Sequence, residues 1–184
     1  MSGSMDASGA AILALPGSEA GAAGLAGELG WACEPVRLHR FPDGESRVSL
    51  PARLPARVVL FDSLHDPDGK LVTLMLAAET ARELGARELV LVAPYLCYMR
   101  QDIAFEPGQA VSQRIVGRFL GRMFDAVFTV DPHLHRIERL SEAVPSARAP
   151  VVHSCRKATQ RGSDRRKKKC SDVRSTGRAL VRVE

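Results

Sequence analysis

Three consecutive stretches decide the fold: VVLF at residues 58–61, GKLVTLMLAAETARELG at residues 69–85 and LVLVA at residues 89–93. The first is an uninterrupted apolar run, too short for a helix and typical of a strand buried on both faces. In the second, Leu71, Leu74, Met75, Ala78 and Ala81 fall on one helical face, and Gly85 ends the pattern. The third is another buried strand. Strand, helix and strand in that order make a crossover between parallel strands. Downstream, Val111, Ile115, Phe119 and Met123 recur every fourth position and predict a helix over 110–123, before a further strand at 126–130. Upstream, the run at 11–15 stops at Pro16-Gly17. Residues 19–29, with Leu25 and Leu29 four apart, predict a helix closed by Gly30. Short strands are predicted at 36–40 and 47–50, on either side of Pro42-Asp43-Gly44. Alternation at a period of roughly 30 residues predicts an α/β fold, an open, mostly parallel sheet with helices on both faces. There is no internal repeat.

A chain of 184 residues is one ordinary domain in size. Its 45% hydrophobic and 26% charged content is that of a globular protein. The four cysteines, Cys33, Cys97, Cys155 and Cys170, show neither C-x-x-C nor zinc-ligand spacing, so a reduced compartment is expected. The first ten residues lack a basic segment ahead of an apolar one, and no apolar run reaches about 18 residues. A cytoplasmic location without membrane contact is the expectation. The net charge of +5 is unevenly placed. Eleven of the 26 Lys and Arg and three of the 21 Asp and Glu lie in 155–184, leaving 15 basic and 18 acidic residues before them. The body is thus mildly acidic, and nucleic acid is not an expected partner. Residues 165–169 are five consecutive basic side chains that no core can bury. The expected division is a folded domain over 10–154 and a basic, disordered tail over 155–184.

In open parallel sheets, ligands sit beyond the carboxyl ends of the strands, so the segments after strands carry the chemistry. Three were singled out. Phe41-Pro42-Asp43-Gly44-Glu45 offers a ring that can stack on a base and two carboxylates that can accept from an amine or ribose hydroxyls; it also fits a plain Pro-Asp-Gly turn. In the second, residues 94–102, Arg100 can fork onto phosphate oxygens and Gln101 can read a base or ribose; an ordinary strand-to-helix loop is the competing account. The third, residues 131–135, places Asp131, His133 and His135 directly after a strand, where they can hold a divalent metal beside a phosphate or serve as a polar strand end.

Taken in order, FPDGE at 41–45, PYLCYMRQD at 94–102, FEPGQAVS at 105–112 and VDPHLH at 130–135 resemble the phosphoribosyl pyrophosphate synthetase family, also called ribose-phosphate pyrophosphokinases. The likeness extends over residues 10–154 and corresponds to the family's ATP-side N-terminal domain, so it implies a phosphoribosyltransferase-like sheet. It implies a cytoplasmic, Mg²⁺-dependent kinase that transfers the diphosphate of ATP to the 1-hydroxyl of ribose 5-phosphate. By resemblance Arg100 and Gln101 hold ATP, Asp102 supports their loop, and His133 accompanies Mg²⁺. Phe41, Asp43 and Glu45 are implied to grip adenine from a neighbouring subunit, which requires a homo-oligomer or assembly with a full-length synthetase.

Family members are longer and have a second, similar domain; here that half is expected to be truncated or disrupted. Residues 156–164 faintly resemble the family's catalytic loop, with Lys157 and Arg161 as its cations. Residues 172–178 resemble the ribose-phosphate loop, with Asp172, Ser175, Thr176 and Gly177 as phosphate binders, although Ser171 stands where the family has an acidic residue. A non-catalytic ATP-binding or regulatory subunit is the alternative expectation.

Overall fold

The computed structural model describes residues 9–130, 132–134, 136, 137, 139–145, 147, 148, 151–154 and 181–183, the last two stretches through their backbone alone. The elements are β1 (Ala10–Ala14), α1 (Glu19–Leu29), β2 (Ala32–Pro35), β3 (Arg37–Arg40), β4 (Ser46–Ser49), β5 (Arg57–Phe61), α2 (Pro67–Glu83), β6 (Glu88–Ala93), α3 (Ser112–Met123), β7 (Ala126–Val130), α4 (Leu140–Ala143), β8 (Val151–Ser154) and β9 (Val181–Val183). Among the described residues the main sheet has the order β2-β1-β5-β6-β7-β8-β9, while β3 and β4 form a separate antiparallel hairpin. Every pairing from β2 to β8 is parallel and only β9 runs against its neighbour. The open, mostly parallel sheet expected from the alternation is what the chain forms.

Strand alternation divides the core in two. Leu13, Val58, Leu60, Leu89 and Leu91 point to the side carrying α2 and α3, where they meet Leu74, Ala78 and Leu120. Ile12, Ala14, Val59, Phe61 and Val90 point to the other side, where α1 brings Ala22 and Ala26. Helices therefore cover both faces.

Two helices pack on faces rotated from the expected stripes. In α1 Leu25 packs at the edge of the contact and Leu29 is 46% exposed, while Ala22 and Ala26 are buried at its centre. The helix lies so close to the sheet that a Cβ on Gly21 would stand 2.8 Å from the Phe61 ring, which excludes bulky residues from that face. In α3 the predicted stripe is split: Met123 is buried and Phe119 packs against the core, but Ile115 is 49% exposed, and Val116, Gly117, Leu120 and Gly121 complete the inward face. The backbone around α4 presses on this glycine seam. A Cβ on Gly117 would lie 1.8 Å from the Ala143 carbonyl oxygen, and one on Gly121 1.9 Å from that of Pro145.

β2, α4, β8 and β9 were not anticipated. β2 is an edge strand whose residues stay half or fully exposed, so it leaves no apolar signature. β9 falls within the segment expected to be a tail; residues 155–180 lie outside the described residues.

The amino ends of the parallel strands are tied by ion pairs. Glu88 bridges Arg57 (2.6 Å) and Arg148 (2.8 Å). The Asp125 carboxylate receives Arg82 (2.8 Å) and the Leu89 amide (2.7 Å). The hydrogen bond from Arg57 holds the Glu88 carboxyl below its ordinary range. At Asp125 burial works upward, but the Leu89 amide and Arg82 together outweigh it and the carboxyl is lowered.

Candidate functional site

The opposite end of the sheet carries the recesses. The crevice between β1 and β5, where strand order reverses, is closed by a polar knot. Ser18 Oγ donates to buried Asp62 Oδ1 at 2.9 Å, the Ser63 amide donates to Ser18 Oγ at 3.1 Å, and Lys70 Nζ donates to the Ser63 carbonyl at 2.6 Å. Burial raises the Asp62 carboxyl, against the Ser18 hydrogen bond and the Lys70 charge. The open space lies one strand further on. A cavity of about 840 Å³ is walled by His65, Asp66 and Asp68 from the segment after β5, and by Tyr98, Arg100, Gln101, Phe105 and Gln109 from the segment after β6. A smaller recess of about 60 Å³ joins Arg100 to Met99, Val130 and His133. Tyr95 and Arg100 line both.

The segment after β6 has no regular structure, yet it is pinned at many points. The Leu64 amide donates to the Tyr95 carbonyl (2.9 Å). Buried Gln113, in the first turn of α3, donates its side-chain amide to the Met99 carbonyl (3.2 Å) and its backbone amide to the Gln101 carbonyl (3.1 Å). Tyr98 takes a left-handed backbone, φ 59°, which costs a non-glycine residue on the order of 1 kcal/mol. Its hydroxyl donates to Asp68 Oδ1 at the start of α2. That bond raises the phenol, which stays a neutral donor. Burial pushes the Cys97 thiol up to about 12, so this cysteine is not a nucleophile at neutral pH.

Asp102 is buried and accepts from Arg136 Nη1 at 2.6 Å. Its second oxygen has no hydrogen-bond partner among the described residues. Arg136 belongs to the segment after β7, so the pair fastens the His133 segment to the Arg100 segment. The Arg100 guanidinium is exposed, with no ion pair among the described residues, and points its charge at solvent in both recesses.

The structure thus brings Arg100 and Gln101 together in one cavity, sets His133 at the adjoining recess, and puts Asp102 behind the loop rather than in it. Phe41, Asp43 and Glu45 do not line either recess. They form the tip of the β3–β4 hairpin as a Pro-Asp-Gly turn. The Gly44 amide donates to the Phe41 carbonyl (3.0 Å), Gly44 has φ 93°, and the Glu45 amide donates to Asp43 Oδ1 (3.0 Å). The Phe41 ring meets His39 edge-on at 4.8 Å, with Arg47 5.8 Å above it. Asp131, His135, Lys157, Arg161, Asp172, Ser175, Thr176 and Gly177 lie outside the described residues. His65, Asp66, Asp68 and Arg136 were not singled out from sequence, and Phe105 opens the quoted stretch 105–112 without a role of its own. The rule that ligands gather after strands finds the first three when it is applied to β5 as well as to β6 and β7.

Among the described residues there is no group of three or more His, Cys, Asp and Glu able to cage a metal. Mg²⁺ seldom needs one: it keeps waters and rides on phosphate oxygens. An imidazole at the edge of a recess lined by Arg100 fits a metal delivered with a phosphate chain.

A family model for the N-terminal domain of ribose phosphate pyrophosphokinase matches residues 10–123, more than half of the chain. The chain belongs to the ribose-phosphate pyrophosphokinase family. The family's enzyme from Methanopyrus kandleri is 44% identical over 110 residues, 59% of this chain and 38% of that protein. The ribose-phosphate pyrophosphokinase of Halobacterium salinarum is 40% identical over 123 residues, 66% of this chain and 43% of its own length. The chain therefore spans about two-fifths of the length of these relatives. The phosphoribosylpyrophosphate synthetase of Mycobacterium smegmatis superposes with a TM-score of 0.56 over 80% of this chain and 65% of that one; at 16% identity this is a likeness of fold. No helix among the described residues is long and apolar enough to cross a membrane.

Proposed function

We propose that this chain supplies the ATP-holding part of a ribose-phosphate diphosphokinase, which converts ATP and ribose 5-phosphate into phosphoribosyl pyrophosphate and AMP with Mg²⁺. The observation that carries the reading is the cavity beyond β5 and β6, lined by Arg100, which has no ion pair among the described residues, beside Gln101 and next to the recess of His133. Transfer of a diphosphate group requires chiefly positioning and neutralisation of charge. Arg100 is always protonated and forks onto phosphate oxygens. His133, which lines the adjoining recess, is assigned by resemblance to accompany Mg²⁺, which when bound would neutralise charge on the phosphate chain. Asp102 holds the loop, and Gln101 faces the nucleoside end.

Phe41, Asp43 and Glu45 stand at the tip of the β3–β4 hairpin and do not line the cavity. That placement fits a contact made to a neighbouring subunit, whether a second copy or a full-length synthetase. The ribose 5-phosphate candidates Asp172, Ser175, Thr176 and Gly177 and the catalytic candidates Lys157 and Arg161 complete the proposal from sequence resemblance alone. A second reading, a non-catalytic ATP-binding subunit assembling with a full-length synthetase, rests on the same cavity, since all of its walls lie within residues 65–112.

Calorimetry with MgATP tests the shared premise. The unaltered chain should bind and Arg100→Ala should bind roughly 10- to 100-fold more weakly, the worth of a charge-assisted hydrogen bond. Equal affinity in both proteins would refute the site. Formation of AMP with ribose 5-phosphate added then separates the enzyme from the binding subunit.

A further inference from the structure

We propose that Phe105 is the stacking platform for the base of the bound nucleotide, an inference that rests on reading the cavity as a nucleotide site. Phe105 is 67% exposed, the highest value among the exposed large hydrophobic residues described. A single exposed apolar residue is ordinary in itself; what sets Phe105 apart is that it lines the same cavity as Arg100 and Gln101. Its backbone is not loose. Gln109 Oε1 accepts the amides of both Phe105 (3.1 Å) and Glu106 (3.3 Å), and the Gln109 amide donates to the Glu106 carbonyl (3.2 Å). Gly108, at φ 86°, supplies the turn that a side chain would strain. The backbone that carries the ring is therefore held in place.

Position then selects the ligand part. Arg100 and Tyr95 line both recesses, and His133 lines the small one, so the phosphate chain belongs at their junction. Phe105 lines the large cavity and not the small recess that holds His133. A nucleotide with its phosphates at Arg100 leaves its base in that larger space. The cavity offers the base a π-face there and the Gln101 amide. Gln101 Nε2 already donates to the Ile103 carbonyl (2.9 Å), which leaves Oε1 as the acceptor for a base amine. Phe41, proposed above to act on a neighbouring subunit, does not line this space in its own chain; Phe105 adds a stacking surface from the chain that also carries Arg100 and Gln101.

The test titrates the full chain with two probes, MgATP and magnesium tripolyphosphate, the second lacking a base. Base stacking is worth about 1–3 kcal/mol by alanine substitution, so Phe105→Ala should weaken MgATP by roughly 5- to 100-fold. Tripolyphosphate affinity should stay within about twofold of the unaltered protein. Phe105→Trp should keep ATP affinity, and its fluorescence should be quenched by MgATP but not by tripolyphosphate. MgATP affinity unchanged in Phe105→Ala, with Arg100→Ala still impaired, overturns the stacking role and leaves the nucleotide site standing. Equal loss for both probes overturns it as well, because the ring would then only shape the loop. Absence of MgATP binding by the unaltered chain overturns both proposals.

Discussion

Replacing Arg136 by Met should loosen the site from behind. The Asp102 side chain is 1% exposed, and Arg136 Nη1 is its partner at 2.6 Å, while its other oxygen has none among the described residues. With the guanidinium gone, a buried carboxylate remains without a counter-charge. Breaking a fully buried pair costs about 3–5 kcal/mol. Arg136 is 52% exposed, so water already screens the interaction, and about 1–3 kcal/mol is the appropriate expectation. For a domain of this size that is a fall in Tm of about 2–4 °C per kcal/mol. Urea unfolding followed by circular dichroism reads the stability, and MgATP titration reads the site. Because the pair joins the Arg100 and His133 segments, affinity should fall together with stability. Combining Arg136→Met with Asp102→Asn should recover part of the stability, since the uncompensated charge is removed. A single Arg136→Met variant with unchanged urea midpoint and unchanged affinity would refute the idea that this pair fastens the two segments.

Three further outcomes are expected. Gly117→Ala should destabilise the chain by about 1–3 kcal/mol in urea unfolding despite the better helix propensity of alanine, because its Cβ would stand 1.8 Å from the Ala143 carbonyl oxygen. Tyr98→Phe removes the donor that holds a left-handed residue to Asp68, so MgATP affinity should drop several-fold, about one hydrogen bond's worth; Asp68→Asn keeps an acceptor and should bind nearly as well as the unaltered chain. Stability should depend on acid through Glu88 and Asp125. Both carboxyls are held below their ordinary values in the folded chain, so the unfolded chain takes up protons first. Their contribution is complete above the ordinary carboxylate range and is lost as the pH falls through the folded values. The urea midpoint should decline on acidification, and less steeply in a Glu88→Gln, Asp125→Asn double variant.

The central strands were legible because burial on both faces leaves continuous apolar runs, as in β5, β6 and β7. The same logic hides β2, whose edge position leaves it polar and exposed. Helix existence was legible too, and so was the buried face of α2, but the faces of α1 and α3 were legible only in part. Counting large apolar residues found Leu25, Phe119 and Met123 but also pointed to exposed Leu29 and Ile115, and it missed the close approaches at Gly21, Ala22, Ala26, Gly117 and Gly121. Small residues permit close approach, and an apolar count gives them no weight. At the site, Arg100 and Gln101 followed from their place after a buried strand. The acidic wall of Asp66 and Asp68 sits after a strand as well, but in a segment that looks like a helix start. Arg136 was beyond reach, since its partner is 34 positions away and only the fold brings them together.

The ion pairs of Glu88 and Asp125 stand at the amino ends of the strands, and every wall of the cavity stands beyond the carboxyl ends. The length of the parallel strands separates the two sets. Substitutions in one set therefore reach the other only through the rigid sheet between them, and their effects should add rather than couple. A variant hardened by new charge pairs at the amino ends would keep its ligand preferences, and the loops at the carboxyl ends could be exchanged without unfastening the base of the sheet.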